Sequence, residues 1–86
     1  MDNVHLLLAD KNLSYLEIAR KMLRFHDEAY QVEVATSGEE CLEKLNQNHH
    51  DLLLLDYDID DKKGLEILSR ITGSNLDVPV VMLVDQ

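Results

Sequence analysis

Two aspartates close apolar runs in this chain: Asp10 follows VHLLLA, and Asp56 follows DLLLL. A carboxylate at the tip of a buried strand can attack phosphorus and carry it as an acyl-phosphate. Clustered carboxylate oxygens also suit Mg²⁺, which takes octahedral oxygen ligands and keeps several of its waters. Lys11 stands beside Asp10. An ammonium within reach of Asp10 and Asp56 would neutralise the pair without a metal, because opposite charges a few ångströms apart favour both ionised forms. A lysine pointing into water near a helix start would do nothing of the kind, and the residues alone leave both readings open.

Other reactive residues carry less. His49 and His50 are adjacent, so their side chains diverge, and no third ligand lies near; they read as surface histidines. His5 and His26 have no companion motif. Cys41 is the single cysteine, which excludes an internal disulfide or a cysteine metal pair, and its place on an apolar stripe makes it a small core residue. Tyr57 reads as a loop-packing aromatic. Gly38, Gly64 and Gly73 are scattered, so neither a phosphate-cradling P-loop nor GxGxxG is present. No base–nucleophile pair supports a hydrolytic enzyme.

For the two aspartates to meet, the intervening chain must return. Val4 to Ala9 reads as a buried strand. Asn12 is placed to cap a helix running to about His26, with Leu16, Ala19 and Leu23 on its inner stripe and Tyr15, Ile18 and Met22 beside it. Gln31 to Ala35 alternates as a half-exposed strand near a sheet edge does. Ser37 with Glu40 is a capping box opening a helix from about Gly38 to Gln47, whose stripe is Cys41, Leu42 and Leu45. Asp51 to Leu55 is the most continuously apolar strand and therefore central. A polar loop over 56–63 leads to a helix from Gly64 to about Ile71, with Leu65, Leu68 and Ile71 expected to face inward. Pro79 opens a last strand over Val80 to Val84, a position that tolerates proline.

Strict strand–helix alternation predicts an α/β fold with helices on both faces of a parallel sheet. In such sheets function lies beyond the carboxyl ends of the strands, here Asp10 and Lys11, the 56–63 loop, and Asp85. The 86 residues allow one domain, 1–86, with no linker or repeat. Eight basic against seventeen acidic residues give a net charge of −9, which excludes nucleic-acid and anionic membrane-surface binding by this chain and favours cations and basic protein surfaces. Leu52 to Leu55 is the longest uninterrupted apolar stretch, far too short to span a bilayer, and the start lacks a basic region before its apolar run. A cytoplasmic location is the resulting expectation.

The fragments LLLAD, DLLLLDYDIDDKKGLEIL and VPVVMLV together resemble the receiver domain of two-component response regulators over residues 4 to 86. The most specific pieces are Asp56 and the glycine eight positions later, Gly64. The resemblance implies a flavodoxin-like three-layer fold with strand order 2-1-3-4. It implies that Asp56 accepts phosphate from a histidine kinase or phosphotransfer protein, that Asp10 and Asp56 help hold Mg²⁺, and that the backbone carbonyl of Asp58 completes the protein ligands. It describes a phosphoacceptor rather than an enzyme. The chain departs from the family where Lys11 replaces a second acid, where Val84 replaces a serine or threonine, and where Ile59-Asp60 replaces a Met-Pro pair. It also stops before the family's fourth helix, fifth strand and fifth helix, so the reading is a truncated receiver whose Mg²⁺ binding Lys11 opposes. The rival reading is a pseudo-receiver that acts as a protein-interaction module without phosphorylation. On either reading a bare last strand over 79–84 calls for cover by a second copy, a partner domain or a missing C-terminal segment, and a dimer interface there would include Val80, Met82 and Val84.

Overall fold

The structure, a computed structural model, describes residues 3–59 and 61–84. Asp60 and Asp85, both named above, lie outside the described residues. Elements follow in the order β1 (Val4–Ala9), α1 (Leu13–His26), β2 (Tyr30–Ala35), α2 (Gly38–Gln47), β3 (Leu52–Asp56), β4 (Asp58–Ile59), β5 (Lys62–Lys63), α3 (Gly64–Thr72) and β6 (Val80–Leu83). Four strands form one parallel sheet in the order β2-β1-β3-β6. This is the expected 2-1-3-4 order, with the short β4–β5 hairpin intervening in the numbering. Leu6 of β1 lies opposite Val32 and Leu52, and Leu53 of β3 lies opposite Val80. None of the described helices is long and apolar enough to cross a membrane.

Local signals in the sequence build the helices. The Asn12 side chain accepts from the Tyr15 amide and starts α1. Ser37 Oγ accepts from the Glu40 amide at 3.0 Å and starts α2. Glu40 Oε1 reaches back to the Thr36 amide at 2.8 Å, closing the box one residue earlier than the usual pattern. That amide holds the Glu40 carboxyl below its ordinary value.

Alternation along the strands then sorts the leucines. Leu7, Leu53 and Leu55 point to the α2/α3 side, where they pack with Cys41, Leu45, Ile67 and Ile71 as the main core. Burial pushes the Cys41 thiol up to about 12, so it is an inert core residue as the sequence suggests. The opposite face carries Leu8, Leu54 and Leu83 against Leu16, Ala19 and Leu23 of α1.

Four expectations need correcting. Leu65 is 57% exposed, and the inner stripe of α3 is Gly64, Ile67 and Ile71. Residues 64, 67 and 71 follow the i, i+3, i+7 spacing of one helical face, which Leu65 does not share. The stretch after Asp56 is not a plain polar loop, since β4 pairs antiparallel with β5 and Ile59 is 1% exposed. His50 is buried rather than on the surface, with Nε2 2.8 Å from Glu33 Oε1 and no partner for Nδ1 among the described residues. Val80 and Met82 turn toward the core, leaving Val81, Leu83 and Val84 as the exposed side chains of that segment. The outer edge of β6 carries no partner strand among the described residues.

Candidate functional site

Parallel pairing in register brings the carboxyl ends of β1 and β3 to one rim, and Asp10 and Asp56 arrive there together. They line an open cleft of about 450 Å³ with Lys11, Asn12, Tyr15, Asp58, Leu83 and Val84. The Asp10 amide donates to Ala35 O at 3.0 Å, which anchors the rim to β2. Its Oδ1 accepts from the Asn12 amide at 2.9 Å, so the same carboxylate shapes the turn into α1. Asp56 is the last residue of β3 and half-buried. Its Oδ1 accepts from the Asp58 amide at 3.2 Å, and the next amide, Tyr57, donates to Leu83 O at 2.9 Å. Asp56 is thereby fixed between two strands while one side of it faces the cleft.

Lys11 resolves in a direction the sequence does not offer. Its Nζ lies 3.7 Å from Asp58 Oδ2, while Lys63 Nζ donates to Asp58 Oδ1 at 2.6 Å. Asp58 is therefore held by two lysines, Lys11 from the cleft lining and Lys63 from β5. The Lys63 hydrogen bond foremost, then its charge and that of Lys11, holds the Asp58 carboxyl below its ordinary value. Asp58 in turn raises Lys63.

Behind the cleft, Gly64 returns the chain to Asp56. Its amide donates to Tyr57 O at 2.6 Å, and a Cβ there would stand 2.9 Å from the Tyr57 Cα. Only a glycine allows that approach without moving backbone. Farther along the rim, Asp61 accepts from the Gly38 amide at 2.6 Å and the Glu39 amide at 3.1 Å, tying the hairpin to the start of α2. Those amides, Gly38 first, hold the Asp61 carboxyl low. Sequence reasoning placed Asp61 at the rim only as part of the 56–63 stretch and missed its contact with α2; it missed Tyr15 as a rim residue. Asp61 carries no local signal, since its partners are more than twenty positions away; Tyr15 is legible only as a residue of the helix turn that faces the rim.

The donor set fits a divalent cation poorly. Asp10 and Asp56 each already serve a backbone amide. Lys11 and Lys63 both pair with Asp58, which offsets the anionic oxygen that a hard cation needs in surplus. Among the described residues, no three His, Cys, Asp or Glu side chains are grouped to hold a metal. Val84 presents no hydroxyl to the cleft.

The family model for the response regulator receiver domain matches residues 6–86. The chain is 30% identical over 82 residues to the transcriptional regulatory protein ZraR of Escherichia coli, covering 95% of this chain and 18% of that one. It is 34% identical over 80 residues to the transcriptional regulatory protein TrcR of Mycobacterium tuberculosis, covering 93% and 30%. Among solved structures, the N-terminal domain of a response regulator receiver protein from Methanoculleus marisnigri superposes with a TM-score of 0.85 at 36% identity, covering 95% of this chain and 67% of that one. A CheY-like receiver domain protein from Methanospirillum hungatei superposes with a TM-score of 0.89 at 24% identity, covering 99% and 66%, a likeness of fold. The chain thus spans less than a third of the length of these two curated relatives.

Proposed function

This chain belongs to the response regulator receiver domain family of two-component signalling, and from that membership we propose that it is a phosphoryl acceptor with Asp56 as its nucleophile. The observation that carries the reading is Asp56 itself, a carboxylate at the end of the central strand, held by the Asp58 amide and opening on a cleft with Asp10. An Asp56 oxygen attacks phosphorus of a phosphohistidine on a histidine kinase or phosphotransfer protein. The new O–P bond forms as the P–N bond breaks, and its electron pair stays with the departing imidazole. The work is cytoplasmic and stoichiometric rather than enzymatic turnover.

Val84 offers no hydrogen bond to the phosphoryl oxygens, and losing one such donor typically costs about 10²–10³ in rate. Slow transfer follows. The clasp of Lys11 and Lys63 on Asp58 favours the second reading, a phosphorylation-independent interaction module in which the open β6 edge pairs with a second copy or a partner domain. Incubation with acetyl phosphate followed by intact-mass analysis separates the two. Slow single modification, abolished in Asp56→Asn, supports the acceptor; an unmodified chain leaves the interaction module.

A further inference from the structure

We infer that Lys11 is the cleft's own exchangeable counter-cation: it rests on Asp58 and moves to the phosphoryl oxygens when Asp56 is modified, neutralising them without a divalent ion. The inference rests on the reading of Asp56 as acceptor. Three observations lead to it. First, Lys11 is the weaker of the two partners of Asp58, at 3.7 Å against 2.6 Å for Lys63, so Asp58 stays paired when Lys11 leaves. Both ends of the Lys11–Asp58 pair are about half exposed, and such pairs hold weakly. Second, the Asp58 amide bonds the Asp56 carboxylate, so the resting place of Lys11 adjoins the acceptor. Third, Lys11, Asp56 and Asp10 line one cleft, and the lysine stem is flexible.

Charge decides the direction. Among the described residues, Asp10, Asp56 and Asp58 against Lys11 and the Asp58 partner Lys63 leave one net negative charge at the resting cleft. Converting Asp56 into an acyl-phosphate replaces one carboxylate charge with about −1.5 to −2 on three strong acceptor oxygens. That group attracts an ammonium more strongly than Asp58, already satisfied by Lys63. With acetyl phosphate, an Asp56 oxygen bonds to phosphorus while the P–O bond to the acetyl group breaks, and its electron pair leaves on acetate. Lys11 stays protonated throughout and contributes N–H donors, so no proton is exchanged.

The test measures initial rates of acetyl phosphate modification of the full chain by intact mass, in EDTA and in excess Mg²⁺. The wild type is expected to react at the same rate in both. Lys11→Ala should slow on the order of 10²-fold in EDTA, the size of losing one such donor, and Lys11→Arg should recover most of the rate. A separate readout is Mg²⁺ titration of the unmodified protein by NMR: the Asp10 and Asp56 amides stay in place in the wild type and shift saturably in Lys11→Asp. Wild-type modification that requires Mg²⁺, or an undiminished Lys11→Ala rate, overturns the role of Lys11 while Asp56 remains the acceptor. A wild type that reacts in neither condition overturns both.

Discussion

On the α2/α3 side of the sheet Leu53, Leu55 and Ile67 are sealed completely from water, whereas on the α1 side Val81 is 45% and Leu83 is 42% exposed. The same strands supply both faces, alternating residue by residue. Coverage makes the difference. Two helices and the buried Ile59 close the first face, while α1 sits over Leu8 and Leu54 and leaves Ile18, Met22 and the outward side chains of β6 open. Apolar composition alone therefore does not make a core; a second layer must arrive over it. The cleft lies at the end of the open half, where Asp56 shares the α1 face with Leu54 and with its register partner Leu83, beside Tyr15 and Val84.

The comparison is broken most forcefully from the sealed side. Leu53→Ala should cost about 2–5 kcal/mol in urea unfolding, a large part of what so small a domain has. Gly64→Ala comes next, at about 1–3 kcal/mol, because the new methyl meets the Tyr57 backbone rather than a movable side chain. It should also slow Asp56 modification by displacing the strand end. Ser37→Ala removes the cap of α2 and should cost about 1 kcal/mol.

Acid probes the rim locally. The folded carboxyl of Asp61 sits below its ordinary 3.8 and that of Glu40 below 4.5, so the native state binds fewer protons than the unfolded chain there. Their contribution is complete above those values and disappears as pH falls through the depressed folded ones. Hydrogen exchange should accordingly show the Gly38 and Glu39 amides losing protection below pH 3.8 while Leu53 keeps its own. The smallest effect is expected on the open face, where Val81→Thr should change stability by no more than about 0.5 kcal/mol. A loss matching Leu53→Ala would mean that the open face is covered in solution by another chain, and light scattering would then report a dimer.

Much of this fold is legible one residue at a time. Asn12 and Ser37 announce their helices because a cap bonds an amide three positions ahead. VHLLLA and DLLLL announce buried strands by composition, and Asp56 is legible as a candidate because it closes one of them. Leu65 reads as an inward residue from the sequence because a short helix with leucines or isoleucines at 65, 67, 68 and 71 allows more than one stripe, and the neighbours choose. His50 shows no sign in the sequence of the Glu33 carboxylate that waits for it on β2.

The sequence by itself determined the alternation of elements, their caps, the central place of β3 and the two aspartates at strand ends. Each of those rests on contacts within a turn or on the twofold period of a strand, which the order of residues encodes directly. Tertiary structure alone decided that Lys11 pairs with Asp58 rather than Asp10 or Asp56, that Asp61 caps α2 across the rim, and that one face of the sheet is closed while the other is open. Those outcomes depend on which groups the folded backbone brings within a few ångströms. Charge attraction and burial act on that distance, whatever the separation along the chain.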